Sequence, residues 1–144
     1  MKKKLRRMKK DRMARFLKRE REWKEYRAKI DQQIEKSKRL IREMEEIYDF
    51  EKIHKLSMKN GDAVLKSKLV GCFYCASIFP PSDFQETDFS EWKTVDGATF
   101  TDAWCPHCGI DSVIPESKDY EITKKMLIAM GDKYFGYSER KADW

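Results

Sequence analysis

The residues with the clearest capacity for chemistry are four cysteines, which stand in two matched pairs. Cys72 and Cys75 are separated by two residues, Cys105 and Cys108 likewise, and 29 residues lie between the pairs. In a tight turn, two thiolates at this spacing can point at one metal ion while backbone N–H groups donate to their sulfurs, and two such turns complete a tetrahedral site. Gly109 supplies the permissive backbone that such a turn needs. The spacing therefore predicts a metal site with all four cysteines as ligands.

The donor set makes zinc the first expectation for the metal. Zinc suits a closed, redox-silent site of four sulfurs. Iron is the alternative, because DAWCPHCG and the gap of 29 residues resemble the second half and the spacing of rubredoxins. The first half departs from that family, since Ala76, Ser77 and Ile78 follow Cys75 where rubredoxins carry Gly and a Tyr-containing aromatic run. Structural disulfides are not expected, because cytosolic thiols stay reduced.

The two histidines of the chain do not form a catalytic pattern with the cysteines. His54 lies at the end of a predicted helical arm, and His107 lies between two predicted ligands. A zinc deaminase needs an H-x-E element together with P-C-x-x-C, and neither His54 nor Trp104, which precedes Cys105, fits that pattern. Four thiolate ligands also leave no coordination position for an activated water. We therefore expect a binding protein rather than an enzyme.

Charge is distributed unevenly along the chain. Residues 1–30 hold 15 Lys or Arg against 4 Asp or Glu, whereas residues 31–144 hold 16 against 21. A basic end on an acidic body is typical of an electrostatic arm, which binds nucleic-acid phosphates with a salt-dependent release of counterions. A merely solubilising segment is the open alternative. The candidate residues for binding nucleic acid or another partner are Lys2, Lys3, Lys4, Arg6, Arg7, Lys9, Lys10 and Arg12.

Residues 1 to about 50 contain neither Gly nor Pro and predict one long amphipathic helix. From Met13, alternating steps of three and four residues reach Tyr48, and eight of these eleven positions are apolar. This heptad-like stripe is interrupted at Glu20, Arg27 and Ser37. Two interpretations stay open: the stripe docks on the chain's own body, or it pairs with a partner protein or another copy. The residues expected to make that contact are Ile30, Ile34, Ile41 and Met44.

Shorter elements follow the turn signal KNGD. The alternating run ATFTDAW predicts a strand entering the second cysteine pair, and GIDSVIP predicts its return strand in a hairpin. ITKKMLIAMGDKYF predicts a short amphipathic helix with Asp119 or Thr123 as its cap. The expected fold class is α+β. It comprises a helical arm over residues 1–58, a four-cysteine, rubredoxin-like zinc-ribbon domain with a C-terminal helix over 59–137, and a polar tail over 138–144.

Aromatic residues are expected to supply the small core around the metal. Phe73 and Tyr74 lie in the middle of the first cysteine pair, where they either shield the ion or form a contact surface. The metal and the rings together would stabilise a segment of about 70 residues that otherwise has little apolar mass. The other predicted core residues are Phe79, Phe84, Phe89, Trp92, Phe100 and Trp104.

The sequence around the cysteines resembles a family of small bacterial and phage cytoplasmic proteins. GCFYCASIFPPSDF, CPHCGIDSVI and ITKKMLIAMGDKYF are similar to that family's C-F-Y-C run, F-P-P-S-like segment, C-P-x-C-G-I-D-S-V-I run and terminal helix, over roughly residues 67–135. The resemblance implies a zinc-ribbon-like domain and does not define its biochemical role. The segment QETDFSEW departs from the shorter link of that family.

Expectations about location and function follow from these features together. No apolar run approaches the roughly 20 residues that span a bilayer, and no apolar segment follows the basic start as in a secretory signal. We expect a cytoplasmic protein in which the zinc domain is a rigid platform and the basic arm binds nucleic acid. The alternatives are a protein-interaction adaptor or inhibitor, phage-encoded in one version, that acts through the amphipathic helix, and an iron-bearing electron carrier.

Overall fold

The computed structural model describes the backbone of residues 2–136 and the side chains of residues 6–136; the predicted polar tail, 138–144, lies outside the described residues. In chain order, the α-helices are α1 (Lys2–Glu45), α2 (Phe50–Lys55), α3 (Gly61–Lys66) and α4 (Lys124–Phe135). The strands are β1 (Val70–Cys72), β2 (Ile78–Phe79), β3 (Phe89–Lys93), β4 (Thr99–Ala103) and β5 (Val113–Ile114). The predicted mixture of helices and strands, with a long helix at the N-terminal end, is confirmed.

The predicted helical arm is two helices rather than one. α1 is 44 residues long and ends at Glu45. Asp49 then adopts an extended conformation, and its carboxylate accepts a hydrogen bond of 3.1 Å from the backbone N–H of Lys52, which begins α2. An Asp at this position satisfies a backbone donor that would otherwise be unpaired at the helix start. The first helix therefore ends before residue 50, at a point that the apolar stripe does not mark.

The chain forms two compact units, Met1–Lys36 and Ser37–Trp144. In the first unit, every side chain from Arg6 to Lys29 is exposed. The boundary that the sequence predicts lies at residue 58, because KNGD is a strong local turn signal. Among the described helices, none combines the length and the apolar character that a bilayer span requires.

The first core of the second unit joins the last turns of α1 to α4. Met44 is 5 % exposed and belongs to the same buried cluster as Leu127, and Ile41 packs against that cluster. Ser37, which interrupts the apolar stripe, is buried, and its hydroxyl donates to the carboxylate of Asp132 at 2.7 Å. The expectation that Met44 contacts a partner is therefore wrong, because the chain's own core covers it.

The strands form two antiparallel sheets instead of the predicted hairpin. β1 lies between β2 and β5, so Gly71 stands opposite both Ile78 and Ile114. β3 pairs with β4 from Phe89 opposite Ala103 onward. ATFTDAW does form a strand, but its pairing with GIDSVIP is wrong. β4 pairs with the strand formed by the end of QETDFSEW, and β5 pairs with β1.

The second core contains the buried cysteines and part of the predicted aromatic set. Phe79 is 3 % exposed, and the rings of Phe84 and Phe89 extend from it with centroid spacings of 5.4 and 5.1 Å. Trp92 and Trp104 are 37 % and 39 % exposed, so their prediction as core residues is wrong. Their indole N–H groups donate to polar side chains of the paired strand, and this satisfies the indoles at the surface.

Candidate metal centre

The sulfurs of all four cysteines converge at one point in the second unit. The Sγ atoms of Cys72 and Cys108 are 3.7 Å apart, those of Cys75 and Cys105 are 3.8 Å apart, and all four lie within 4.8 Å of one another. A tetrahedral ion with zinc–sulfur bonds of about 2.3 Å requires sulfurs about 3.8 Å apart. None of the four is in a disulfide, whose S–S length would be about 2.05 Å. The cluster therefore fits a single four-coordinate ion.

The two turns that carry the cysteines share one backbone design. The N–H of Cys72 donates to the carbonyl of Ser77, and the N–H of Cys105 donates to the carbonyl of Ile110, each at 2.9 Å and five residues ahead. β1 leads into the first turn and β4 leads toward the second, so strands fix the position of the first cysteine in each pair. The matched hydrogen bonds explain why both pairs need the same spacing of two residues.

The residue after each pair adopts a left-handed backbone conformation. The φ angle is +56° at Ala76 and +73° at Gly109. Glycine adopts this conformation freely, whereas a residue with a Cβ loses roughly 1–2 kcal/mol there. Ala76 is 4 % exposed and its methyl group packs in the first core, which offsets part of that strain. Gly109 could be predicted from the sequence and Ala76 could not, because alanine gives no turn signal.

Nearby backbone groups favour the thiolate form of each sulfur by lowering its pKa. These groups belong to Cys75, Ser77, His107 and Ile110, which lie two or three residues after the sulfur that each affects. The hydroxyl of Ser77 also lies 3.1 Å from the sulfur of Cys75, and the hydroxyl of Ser112 lies 3.8 Å from that of Cys72. These contacts stabilise thiolate charge, which is the form that binds a metal.

Because the four sulfurs are crowded together, the pKa values of their thiols differ. Hydrogen bonds from Cys105 and Cys72 hold the pKa of Cys75 far below its usual range, and hydrogen bonding to Cys72 and Cys75 raises the pKa of Cys105. Burial, with the nearby charge of Cys72, raises the pKa of Cys108 to about 12. A divalent cation removes this mutual repulsion by neutralising the thiolates. Metal binding at neutral pH must therefore displace protons from the cluster.

One cysteine of each pair is buried and the other is partly exposed. Cys72 and Cys105 are at most 1 % exposed, whereas Cys75 and Cys108 reach the surface in part. Phe73, inside the first pair, is 1 % exposed and belongs to the first core. Of the two roles considered for Phe73, shielding therefore agrees with its burial. The centre lies where the two cores meet, with one edge toward solvent.

Asn60 connects β4 and β5, the two strands that flank the second cysteine pair. It is 2 % exposed, its side-chain N–H donates to the carbonyl of Val113 at 2.7 Å, and its side-chain carbonyl accepts from the N–H of Ala103 at 2.9 Å. β4 and β5 are not paired with each other, so this amide takes the place of a missing strand contact. The sequence predicts Asn60 only as a turn residue, since nothing local shows what its side chain bonds.

Neither histidine joins the sulfur cluster. His107 bonds Asp83 through Nε2 at 3.1 Å, and its ring packs on Phe79 with a centroid distance of 4.7 Å. His54 stacks on Tyr134 at 4.1 Å between ring centroids. Within the described side chains, the group of potential metal ligands consists of the four cysteines alone. The two histidines instead hold loops and helices together through ring contacts.

The predicted partner-binding residues lie on α1. Arg6, Arg7, Lys9, Lys10 and Arg12 are exposed. The helical backbone continues through Lys2, Lys3 and Lys4, whose side chains are outside the described ones. Ile30, Ile34 and Ile41 are partly buried. Exposure leaves the basic residues available to phosphates, and their binding remains a prediction.

Comparisons with protein-family models, with curated proteins and with solved structures gave no match. The resemblance over residues 67–135 therefore remains a prediction. The features that indicate a function are the geometry of the four sulfurs and the exposure and charge of α1.

Proposed function

We propose that this chain is a non-enzymatic protein with a structural zinc site, held by Cys72, Cys75, Cys105 and Cys108. The observation that supports it is the convergence of four sulfurs at the spacing of a tetrahedral zinc–thiolate centre. When bound, the ion supplies charge neutralisation and a crosslink. All four positions are taken by sulfur, so no position is left for a substrate or an activated water.

The centre would link parts of the backbone that the sheets leave separate. The first cysteine pair begins with the last residue of β1, in one sheet, and the second pair follows β4, in the other. Another link between the sheets is the Asn60 side chain, which bonds Val113 in β5 and Ala103 in β4. Structural zinc sites contribute about 10–16 kcal/mol of apparent binding energy in small metal-dependent domains. We therefore expect the second unit to lose its cooperative fold when the metal is removed.

Metal analysis tests this proposal directly. Protein purified without added metal or chelator should contain one zinc per chain and be colourless. Cys108→Ser should lose the metal, whereas His107→Ala, a control next to two ligands, should keep it. Bound iron with visible absorption would contradict zinc. Native protein without metal, with four freely alkylated thiols and an unchanged cooperative melt, would contradict the structural role itself.

For the helical arm, we infer a role in binding nucleic acid through phosphate contacts. The support is the dense positive charge of residues 1–12, where eight Lys or Arg accompany one Asp, and the exposure of its described side chains. Each neutralised phosphate of a duplex contributes about 0.9 to the slope of log affinity against log salt. The arm residues are not among the four cysteines, so the arm can be tested in metal-loaded protein without changing the zinc ligands.

The arm is tested with a random-sequence DNA duplex and the same sequence as RNA, titrated at several salt concentrations. Replacement of five arm residues by Gln, Arg6, Arg7, Lys9, Lys10 and Arg12, should reduce the salt slope by about four. The control replaces five exposed lysines of the second unit by Gln: Lys55, Lys66, Lys68, Lys93 and Lys118. Equal losses in both variants, or no binding by wild type, would contradict an arm-specific role while leaving the zinc proposal unaffected.

A further inference from the structure

The first unit exposes an apolar face that its own helix cannot cover. Met13 is 57 % exposed, Phe16 49 % and Trp23 61 %. Steps of three and seven residues place these side chains along one side of α1, with Ile30 and Ile34 continuing the same line. Several large apolar side chains exposed on one side of a helix are typical of an interaction surface. We call the row formed by Met13, Phe16, Trp23, Ile30 and Ile34 the arm stripe.

Two charged positions interrupt the arm stripe and carry opposite signs. Glu20 and Arg27 continue the same alternation of three and four residues, so they lie between the apolar side chains rather than on the outer face. Both are exposed. If a second copy lay parallel, Glu20 would face Glu20 and Arg27 would face Arg27 across the seam. If it lay antiparallel, Glu20 of each copy would approach Arg27 of the other.

The charge of the whole helix favours the same orientation. Residues 1–12 hold eight Lys or Arg and one Asp, whereas residues 31–45 hold four basic and four acidic residues. A parallel pair would place the two strongly basic ends side by side, which like-charge repulsion disfavours. An antiparallel pair places each basic end beside a neutral stretch. The charge distribution along α1 and the two charged positions in the arm stripe therefore both favour the antiparallel arrangement.

We infer that the arm stripe is the interface of an antiparallel dimer with a second copy of this chain. Phe16 and Trp23 supply the main buried area, since each aromatic side chain buries about 150–250 Å². The Glu20–Arg27 pairs set the orientation. The seam leaves most of residues 1–12 outside the apolar contact, so the basic end is still available to phosphates and the inference does not depend on nucleic-acid binding.

Sedimentation of the metal-loaded, nuclease-treated protein across the micromolar range tests the dimer. Wild type should change from monomer to dimer with concentration. Trp23→Ala should raise the dissociation constant on the order of a hundredfold, because a central aromatic is lost from both copies. Met8→Ala removes an equally exposed side chain outside the stripe and should leave dimerisation unchanged. Wild type that stays monomeric throughout, or equal effects of both variants, would overturn the inference.

Charge exchange tests the orientation separately. Glu20→Arg and Arg27→Glu should each weaken dimerisation by about tenfold, since two symmetry-related attractions become repulsions. The double exchange should restore the wild-type dissociation constant. In a parallel dimer, each single variant and the double variant merely replace one like-charge contact by another, so all three would resemble wild type. That pattern would refute the antiparallel arrangement, and unchanged zinc content in every variant confirms an intact second unit.

Discussion

Loss of the Asn60 side chain should destabilise the second unit more than any other single polar truncation near the metal centre. The amide makes hydrogen bonds of 2.7 and 2.9 Å to the backbone of Val113 and Ala103, and it is 2 % exposed. Asn60→Ala leaves one buried carbonyl and one buried N–H without their partner. Each unsatisfied group costs about 1–3 kcal/mol. We therefore expect a loss of about 3 kcal/mol or more in the free energy of unfolding.

Asn60→Asp separates hydrogen bonding from packing, because Asp has nearly the same shape. One carboxylate oxygen can still accept from the N–H of Ala103. The other replaces the donor to Val113 with an acceptor, so two oxygens face each other in a buried position. We expect Asn60→Asp to be destabilised at least as much as Asn60→Ala. If Asn60→Ala lost stability only because of the cavity, the isosteric Asp would instead restore the stability of wild type.

Urea unfolding at a fixed free zinc concentration measures both variants, since bound metal shifts apparent stability. Gln33→Ala, at an exposed amide of α1, is the control and should change stability by no more than about 0.5 kcal/mol. If Asn60→Asp unfolded at the same urea concentration as wild type, the amide would not be the link between β4 and β5. The account of how the two sheets are joined would then be wrong.

Three other predictions concern the turns, the helix contact and the pH response. Because Gly109 has a φ of +73°, Gly109→Ala should lower the free energy of unfolding by about 1 kcal/mol, and Gly109→Asn by less. Thermal melts measure both variants. Equal stability of wild type and Gly109→Ala would contradict the strain at this position. Ser37→Ala removes a buried hydrogen-bond donor to Asp132 and should lower the free energy of unfolding in urea by about 1–2 kcal/mol. An unchanged urea midpoint would mean that this hydrogen bond does not stabilise the core. Zinc affinity, measured by chelator competition, should fall as pH falls, because the raised pKa of Cys108 keeps a proton that zinc must displace; a pH-independent affinity would exclude thiol ligands.

The convergence of the four cysteines could be predicted from the sequence, because its determinants are local. Two residues between cysteines fix each turn, and Gly109 marks the left-handed position after the second pair. The long helix was equally predictable, since α1 lacks Gly and Pro throughout its 44 residues. Its end at Glu45 was missed, because the competing cap at Asp49 acts over only one turn and leaves no trace in the apolar stripe.

Strand pairing could not be predicted, because it depends on contacts distant in sequence. ATFTDAW and GIDSVIP flank the second cysteine pair and look like a hairpin, yet β5 pairs with β1, some forty residues earlier. The insertion QETDFSEW supplies β3 as the partner of β4. The two indoles of that hairpin lie at the surface because strand neighbours satisfy their N–H groups, an arrangement that composition does not reveal.

Asn60 and the metal centre act on the same pair of structural elements, so their contributions should be coupled. The amide joins Ala103, at the end of β4, to Val113 in β5, and the ion would join Cys105, just after β4, to Cys72 in β1. β5 and β1 are paired in one sheet, so both links hold β4 against that sheet. When Asn60 is truncated, part of the metal-binding energy must position β4, and affinity for zinc falls. Linkage requires the converse by the same factor: bound zinc strengthens the Asn60 bridge. Zinc affinity of Asn60→Ala, measured by chelator competition, should therefore be lower than that of wild type, whereas equal affinity would mean that the two links stabilise independent parts of the fold.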